Sequence, residues 1–235
     1  MVEMGAPPRP DTVCALTSGG LDSGVLLYEL TKQYGEVQPV YVRCGLFWEA
    51  AEQYWLRRFV KKLKTPNVLR PLKILRMDLR EIYGNHWSLT GQNVPPYDSD
   101  DFEVYLPGRN IILLAKTAVF SVLHGISTIA MAPLHANPFP DGSPRFFHRL
   151  QEVLSEGIAT QVSVSVPFRQ LSKAEVIRMG RDLPLELTFS CISPKGRLHC
   201  GQCSKCAERI KAFHDVGIQD RTVYQQVPEP ATQCG

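Results

Sequence analysis

A double-glycine turn between a short apolar run and an apolar helical pattern constrains the fold of this chain more than any other feature. Residues 13–17 are typical of a buried strand, residues 18–23 form the turn, and residues 25–30 repeat apolar side chains at helical spacing. Adjacent glycines let the backbone turn sharply and approach a ligand without Cβ clashes. Amides of the turn and of the first helical turn then converge where the helix dipole favours an anion, so the pattern predicts a phosphate-binding loop.

The turn has the sequence Ser-Gly-Gly-Leu-Asp-Ser, which resembles the pyrophosphate loop of ATP-using enzymes that adenylate a carbonyl or carboxyl group. It lacks the lysine of a Walker loop, which argues against a kinase or a GTPase. The alternative is a plain tight turn. We predict that ATP is bound by the segment Thr17, Ser18, Gly19, Gly20, Leu21, Asp22, Ser23 and Gly24.

The composition is that of an ordinary soluble protein: of 235 residues, 44% are hydrophobic and 21% are charged. A net charge of +3 is too small to indicate nucleic acid, and no apolar run reaches the roughly 18 residues of a membrane span. Residues 1–10 are rich in proline and lack the apolar core of a signal peptide. We therefore expect a cytoplasmic protein without disulfides, with neither a membrane nor nucleic acid as a partner.

The chain has seven cysteines, four of which form the pattern C-x8-C-x2-C-x2-C near its end. Four thiolates at this spacing suit a closed tetrahedral Zn²⁺ site that is structural rather than catalytic. An iron–sulfur cluster uses the same ligands and is the main alternative, and two disulfides are the other. We expect Cys14 and Cys44 to be small core residues and Cys234 to be exposed. The predicted zinc ligands are Cys191, Cys200, Cys203 and Cys206.

Strand and helix patterns alternate along the chain, which indicates an α/β fold with a mostly parallel sheet and helices on both faces. Predicted strands cover residues 13–17, 37–44, 72–77, 126–131 and 162–166, and predicted helices after the first cover residues 46–63, 109–124, 143–156 and 173–179. The segments that follow strands should share one ligand crevice; they are residues 18–23, 44–49, 133–141 and 167–172. Residues 80–106 break the alternation and are predicted to be a long loop or lid.

We divide the chain into four parts. A lead-in covers residues 1–11, a nucleotide-binding domain residues 12–185, a zinc-binding cysteine segment with a helix residues 186–216, and a tail residues 217–235.

Two charged clusters each have a functional and a structural interpretation. In residues 80–106 an acidic cluster could bind Mg²⁺, but a hydrated loop is the favoured interpretation. Its members are Asp98, Asp100 and Asp101. On the helix predicted over residues 46–63, a basic stripe could touch tRNA, but a solvated helix face is favoured. Its members are Arg57, Arg58, Lys61, Lys62 and Lys64.

Several stretches are similar, in order and spacing, to segments of the 7-cyano-7-deazaguanine synthase (QueC) family, a branch of the PP-loop ATP-pyrophosphatases. They are residues 18–23, Pro107 with Arg109 and Asn110, residues 139–146, residues 171–175 around Lys173, and the cysteine pattern. The similarity runs over about residues 12–214. The chain departs from the family at residues 43–49 and at Gly142 and Ser143, so it resembles a divergent member.

The resemblance implies a Rossmann-like (HUP-type) fold and a ligase that converts 7-carboxy-7-deazaguanine and ammonia into 7-cyano-7-deazaguanine, in queuosine biosynthesis. It implies ATP, Zn²⁺ and Mg²⁺ as cofactors, and a homodimer. The departures leave two alternatives open. One is a related enzyme that adenylates another carboxylate or a tRNA base, and the other is a non-catalytic ATP-binding sensor subunit.

The same resemblance assigns roles to catalytic residues. Lys173 would place positive charge on the α-phosphate, and Asp22 would position the loop or a Mg²⁺. Arg109 would contact phosphate or the substrate carboxylate, with a surface ion pair as the structural alternative.

Substrate binding is assigned in the same way. Asp141 would accept hydrogen bonds from the guanine-like edge, or else cap a helix that begins near Gly142. Trp48 and Phe139, with Phe47, would stack on the purine-like rings, unless they are core residues. We interpret His86 and His135 as structural rather than as proton carriers.

Overall fold

The computed structural model describes residues 11–63, 65 and 67–226. The expectations for residues 1–10, Lys64 and Cys234 therefore lie outside the described residues. Within them, no helix is long and apolar enough to cross a membrane.

A sheet of five parallel strands forms the centre of the fold, in the order β3-β2-β1-β4-β5. All residues of β1 are buried, as expected for a central strand that is covered on both faces. The strands are β1 (Thr12–Leu16), β2 (Glu36–Arg43), β3 (Lys73–Arg76), β4 (Thr128–Ala130) and β5 (Ser163–Ser165). The predicted parallel sheet is confirmed, and each strand end lies within two residues of its predicted position.

Helices connect the strands. They are α1 (Leu21–Thr31), α2 (Glu49–Lys62), α3 (Arg80–Tyr83), α4 (Trp87–Thr90), α5 (Arg109–Leu123), α6 (Pro144–Ile158), α7 (Lys173–Met179) and α8 (Ser204–Val216). Local chemistry sets their ends. Ser143 accepts the Phe146 N–H ahead of α6, and Ser172 and Glu175 form a reciprocal capping box on α7.

Each face of the sheet has its own apolar core. Alternate residues of β1 divide between them: Cys14 packs on the side of α5 and α6, and Val13 packs on the side of α1 and α7. The cysteine segment belongs to the same cores, because Cys191 is buried in the first and Phe213 of α8 in the second. The sheet and the cysteine segment therefore bury apolar surface together.

Cys14 and Cys44 are core residues, as predicted. Burial raises the pKa of Cys14 to about 12 and that of Cys44 to about 11. Both thiols therefore stay protonated at neutral pH and behave as small apolar side chains.

Residues 80–106 contain more structure than the long loop that the sequence predicts. They form α3, α4 and a turn of 3₁₀ helix over Asp101–Val104. Each is only four residues long, too short to show an apolar period, and each begins or ends at a local cap. His86 accepts the Ser88 N–H at α4, and Asp100 accepts the Phe102 N–H at the 3₁₀ turn.

Candidate active site

A cavity of about 440 Å³ opens at the carboxyl ends of β1 and β4, where the strand order reverses. Its wall includes Asp22 after β1, Trp48 after β2 and Asn137 after β4. The crevice predicted for these segments is therefore present. Residues 167–172, which we expected to share it, do not line it, although Lys173 directly after them does.

The loop after β1 is held in shape by its own hydroxyls and by one left-handed glycine. The Ser23 hydroxyl accepts the Ser18 N–H at 3.3 Å and donates to the Gly20 carbonyl at 3.1 Å. Gly19 has a φ of +82°, and a Cβ there would lie 3.0 Å from Cβ of Leu56. No other residue fits this position without strain, so this loop conformation requires Gly19.

The amino terminus of α1 faces the cavity without a cap. Its N-cap residue is Gly20, which has no side chain to accept the first N–H groups. Gly20 and Leu21 line the cavity beside Asp22, whose Oδ1 atom is buried with no hydrogen-bond partner. Free amides and an orphaned carboxylate oxygen at one helix end are what a phosphate with its cation would satisfy.

Lys173 and Asp22 form an ion pair on the cavity wall. Lys173 Nζ lies 2.6 Å from Asp22 Oδ2 and 2.9 Å from Glu208 Oε1. Burial lowers the pKa of Lys173, but the two carboxylates outweigh it and hold that pKa above its usual value. The ammonium group therefore stays charged beside the loop.

Glu208 of α8 joins this pair to a second lysine. Its Oε2 accepts from Lys205 Nζ at 2.8 Å, and Lys205 reaches Asp101 at 3.4 Å. Burial raises the pKa of Glu208, but the charges of Lys173 and Lys205 outweigh it and bring that pKa to about 2. Sequence reasoning missed Glu208. The available signal was its spacing three residues after Lys205 on the helix that carries Cys206.

Arg109 opens α5 and lines the cavity, with its Nε buried and without a hydrogen-bond partner. Within the described part of the chain it forms no ion pair, so the surface ion pair that we considered is not present there. A half-buried guanidinium with an unused Nε donor is suited to an anionic ligand.

Asp141 caps a different helix from the one expected. Its Oδ2 accepts the backbone N–H of Asn110 in the first turn of α5, at 3.0 Å, and Asn110 Nδ2 donates to the Asp141 carbonyl at 2.8 Å. The carboxyl is buried and does not line the cavity. Burial raises its pKa, and the Asn110 hydrogen bond opposes that rise. Asp141 thus fixes the start of the helix that carries Arg109.

Aromatic rings form one side of the cavity. Trp48 is buried and stacks on Trp87 at 5.8 Å, and Phe139 stacks on Tyr105 at 5.1 Å. Trp48, Trp87 and Phe139 line the cavity. Phe47 is 43% exposed and does not line it. His86 and His135 also lie outside the wall.

The segment that departs from the resembled family, residues 43–49, is stabilised by its own glutamate. Glu49 accepts backbone N–H groups of Cys44 and Gly45 and pairs with Arg43 at 3.6 Å. Burial raises the pKa of Glu49, and the backbone hydrogen bonds oppose that rise. The carboxylate fixes the chain that carries Trp48 into the cavity.

Glu52 is a second acidic residue that sequence reasoning missed. It is 6% exposed, lines the cavity and accepts the Tyr41 hydroxyl at 2.6 Å. The signal lay in the buried stripe of α2, in which Glu52 occupies the same helix face as Leu56 and Phe59. A charged residue in such a stripe indicates a functional or specially paired side chain.

The four predicted ligand cysteines meet in one buried cluster. Their sulfurs lie within 4.8 Å of one another, and Cys191 Sγ lies 3.5 Å from Cys200 Sγ. Backbone N–H groups of Ser193 and Cys200 point at Cys191 Sγ from 3.3 Å, as around a thiolate. Hydrogen bonding with Cys191 lowers the pKa of Cys203. The cluster can hold one metal ion.

The members of the two charged clusters make local contacts or face solvent. Asp100 caps the 3₁₀ turn and Asp101 pairs with Lys205, and among the described residues only the cysteines gather as a metal-binding group. The basic stripe of α2 is exposed from Arg57 to Lys62, with Arg58 lying over the Tyr54 ring at 5.5 Å. These side chains form a solvated helix face.

A parallel sheet with an uncapped helix end, a lysine and an arginine at its switch point defines a nucleotide-binding α/β protein. The family described as "Queuosine biosynthesis protein QueC" matches residues 12–217, and the chain belongs to this family.

Curated relatives agree with this assignment. A 7-cyano-7-deazaguanine synthase of Picrophilus torridus is 32% identical over 237 residues, covering 92% of this chain and 92% of the relative. One of Pyrococcus furiosus is 32% identical over 238 residues, covering 91% of this chain and 96% of the relative. A solved 4-thiouridine synthetase in complex with RNA and bound ATP is 14% identical, with a TM-score of 0.47, over 91% of this chain and 52% of its own. That likeness is too distant to bear on function.

Proposed function

We propose that this protein is an ATP-dependent carbon–nitrogen ligase that converts 7-carboxy-7-deazaguanine and ammonia into 7-cyano-7-deazaguanine. The observation that carries the proposal is the Lys173–Asp22 ion pair at the uncapped end of α1, on the wall of a cavity at the switch point. Family membership and the names of the relatives supply the product, 7-cyano-7-deazaguanine.

The chemistry requires activation of a poor electrophile. A carboxylate would have to expel oxide, so one of its oxygens first attacks the α-phosphorus of ATP, which forms an acyl adenylate and releases pyrophosphate. Ammonia then attacks the acyl carbon, and AMP leaves with the oxygen. A second adenylation, on the amide oxygen, allows that oxygen to leave as AMP and gives the nitrile.

The loop after β1 and the amino-terminal end of α1 would bind the phosphates of ATP. The first amides of α1 and the hydroxyls of Ser18 and Ser23 would hold the pyrophosphate. Asp22 Oδ1, which has no hydrogen-bond partner, could bind a Mg²⁺ that is also bound by the phosphates of ATP. In such sites Mg²⁺ usually has only one or two protein carboxylates as ligands. Mg²⁺ would supply charge neutralisation of the leaving pyrophosphate.

Two cationic side chains would contact the reacting groups, the α-phosphate of ATP and the substrate carboxylate. Lys173, which stays charged, would stabilise the extra charge on the α-phosphate in the transition state. Arg109, with its unused Nε donor, would bind the substrate carboxylate or a phosphate oxygen. Lys173 is held in place by Asp22 and Glu208, so its ammonium group would need little reorganisation before the reaction.

The deazaguanine rings fit the aromatic side of the cavity. Trp48 and Phe139 both line it and would stack on the substrate. A role for Asp141 at the guanine edge is the part of this proposal with least support, because its carboxylate is turned to the Asn110 N–H. We place Asp141 as the residue that positions α5.

Zn²⁺ is the metal that we propose for the cysteine cluster. Tetrahedral bonds of about 2.3 Å would separate sulfurs by roughly 3.8 Å, close to the 3.5, 3.8 and 3.9 Å found between pairs of these cysteines. In an iron–sulfur cube each thiolate binds a different iron, so its sulfurs lie further apart. The ion would stabilise the fold and take no part in the reaction.

We also propose a nitrogen source, an assembly and a cellular compartment for the reaction. Ammonia is the proposed nitrogen source, and a homodimer is the proposed assembly. We place the enzyme in the cytoplasm, where ATP is available and thiols stay reduced.

The test is incubation of the purified protein with ATP, Mg²⁺, ammonium and 7-carboxy-7-deazaguanine, followed by mass spectrometry. The proposal expects nitrile, AMP and pyrophosphate. Binding of ATP without pyrophosphate release would instead support a sensor subunit. Turnover that requires added tRNA would support a tRNA-modifying enzyme.

A further inference from the structure

Glu52 packs against the phosphate loop, residues 18–23, although this loop contains no cationic side chain that a carboxylate would neutralise. A Cβ on Gly19 would lie 3.5 Å from Glu52 Cγ, so the glutamate packs directly on the turn. It is 6% exposed and lines the cavity. Repulsion from bound phosphates would weaken ATP binding if this carboxylate were always ionised.

The hydrogen bonding of Glu52 leaves one oxygen unused. Tyr41 donates its hydroxyl to Oε2 at 2.6 Å. Within the described part of the chain, Glu52 forms no ion pair, and Oε1 has no protein partner yet is not sealed from the cavity. Glu49, one turn earlier on α2, differs in that backbone N–H groups occupy both of its oxygens.

The surroundings tune this acid to neutral pH. Burial raises the pKa of Glu52 to about 8, against the opposing effects of the Tyr41 hydroxyl and the charge of Arg109. Glu49 on the same helix raises it further. A carboxyl group in this range can both accept and release a proton near pH 7, which an ordinary glutamate does poorly.

We propose that Glu52 is the general base that accepts protons from the nitrogen atom as ammonia becomes first an amide and then a nitrile. The inference rests on the proposed function. When ammonia adds to the acyl adenylate, the adduct carries a positive nitrogen; Glu52 Oε1 takes one proton, the C–N bond is retained, and AMP leaves to give the amide.

In the second half of the reaction, the conversion of the amide into the nitrile, Glu52 would accept a proton twice. Adenylation of the amide oxygen leaves two protons on a positively polarised nitrogen. Loss of the first gives a neutral imidate, and loss of the second accompanies cleavage of the C–O bond, so that AMP and the nitrile form. Between these steps Glu52 returns its proton to solvent through the cavity. The adenylations release pyrophosphate and need no such base.

Because only the steps after adenylation need the base, the variant is Glu52→Gln. The matched control is Glu29→Gln in α1, a partly buried glutamate that pairs with Lys32 and does not line the cavity. Substrate-dependent exchange of labelled pyrophosphate into ATP, without ammonia, reports adenylation alone. We expect Glu52→Gln to keep this exchange within about threefold and to lose ammonia-dependent nitrile formation by about 10²-fold or more. The control should match the wild type in both.

Two outcomes would overturn the proposal. Equal loss of exchange and of nitrile formation, with a raised KM for the deazaguanine, would make Glu52 a substrate-binding residue. Unchanged nitrile formation would remove it from the reaction. A wild type that forms no nitrile at all refutes the proposed function instead, which separates the two failures.

Tyr41→Phe provides an independent test if Glu52→Gln fails to fold. Losing the hydroxyl removes a contact that lowers the pKa of Glu52, so the rise of the ammonia-dependent rate with pH should move to higher pH. The other groups that act on Glu52, Glu49 and Arg109, are unchanged in this variant. A profile that does not move would contradict the proposal.

Discussion

Lys173 and Asp22 are separated by 151 positions in the chain, yet their side chains meet at 2.6 Å. Lys173 is the first residue of α7 and Asp22 lies in the first turn of α1. The pair joins the two helices at the mouth of the phosphate loop, where each residue would act on ATP. Glu208 of α8 adds a second carboxylate to Lys173, so the helix that carries Cys206 also contributes to this site.

Replacing Lys173 with methionine should remove adenylation while keeping the aliphatic stem. We expect kcat/KM for pyrophosphate release to fall by about 10²- to 10³-fold, the usual effect of losing one preorganised charge contact. Steady-state assays of pyrophosphate release measure this. The matched control is Lys211→Met, since Lys211 forms an exposed pair with Asp215 on α8. Similar losses in both variants would remove Lys173 from its assigned role.

Cys203→Ser should abolish metal binding and lower the melting temperature, because a structural zinc ion contributes folding energy. Metal analysis of the purified wild type should give one zinc per chain, and the variant should contain none. Cys44→Ala, a buried cysteine outside the cluster, should keep its zinc. Iron and sulfide in the wild type would identify a cluster instead, and a fully stable variant without metal would contradict a structural role.

Replacement of glycine by alanine should change the free energy of unfolding in opposite directions at two positions. Gly19→Ala places a Cβ at a φ of +82° and 3.0 Å from Leu56, so it should lower the free energy of unfolding by about 1–2 kcal/mol. Gly157→Ala meets no atom within 4 Å near the end of α6 and should raise it by roughly 0.5–1 kcal/mol. Chemical denaturation checks both. Equal effects would mean that the loop conformation is not imposed by Gly19.

Stability should fall with rising pH because of Glu52. The folded chain holds this proton up to a pKa of about 8, whereas an unfolded glutamate releases it near about 4.3. The unfolded state therefore binds fewer protons between these values, and the free energy of unfolding declines across that window. Glu52→Gln should flatten the decline, as measured by urea unfolding from pH 4.5 to 8. Parallel curves for wild type and variant would refute the raised pKa.

The parts of the fold and site that the sequence predicts are those set by neighbouring residues. The turn of residues 18–23, the cysteine spacing and the capped start of α7 each lie within a few positions of their partners. Strand positions follow from apolar runs in the same way. Short helices such as α3 and α4 escape prediction because four residues cannot show a period.

The parts that sequence reasoning missed depend on contacts between distant elements. Glu208 matters because α8 packs beside Lys173, and Glu52 matters because α2 crosses the loop after β1. Asp141 was expected to bind the guanine-like edge of the substrate or to cap the helix that begins near Gly142, but its carboxylate accepts a backbone N–H of α5, 31 positions away. The local signals, the spacing of Glu208 after Lys205 and the buried stripe around Glu52, do not show which distant element each carboxylate meets.

The central claim is that the substrate carboxylate is adenylated. The most direct test uses 7-carboxy-7-deazaguanine with ¹⁸O at both oxygens of its carboxylate, together with ATP and ammonium. Mass spectrometry then measures the label in the nucleotide product. We predict two AMP for each nitrile, each AMP carrying one ¹⁸O atom from the substrate. Formation of ADP, or of AMP without the label, would contradict the account.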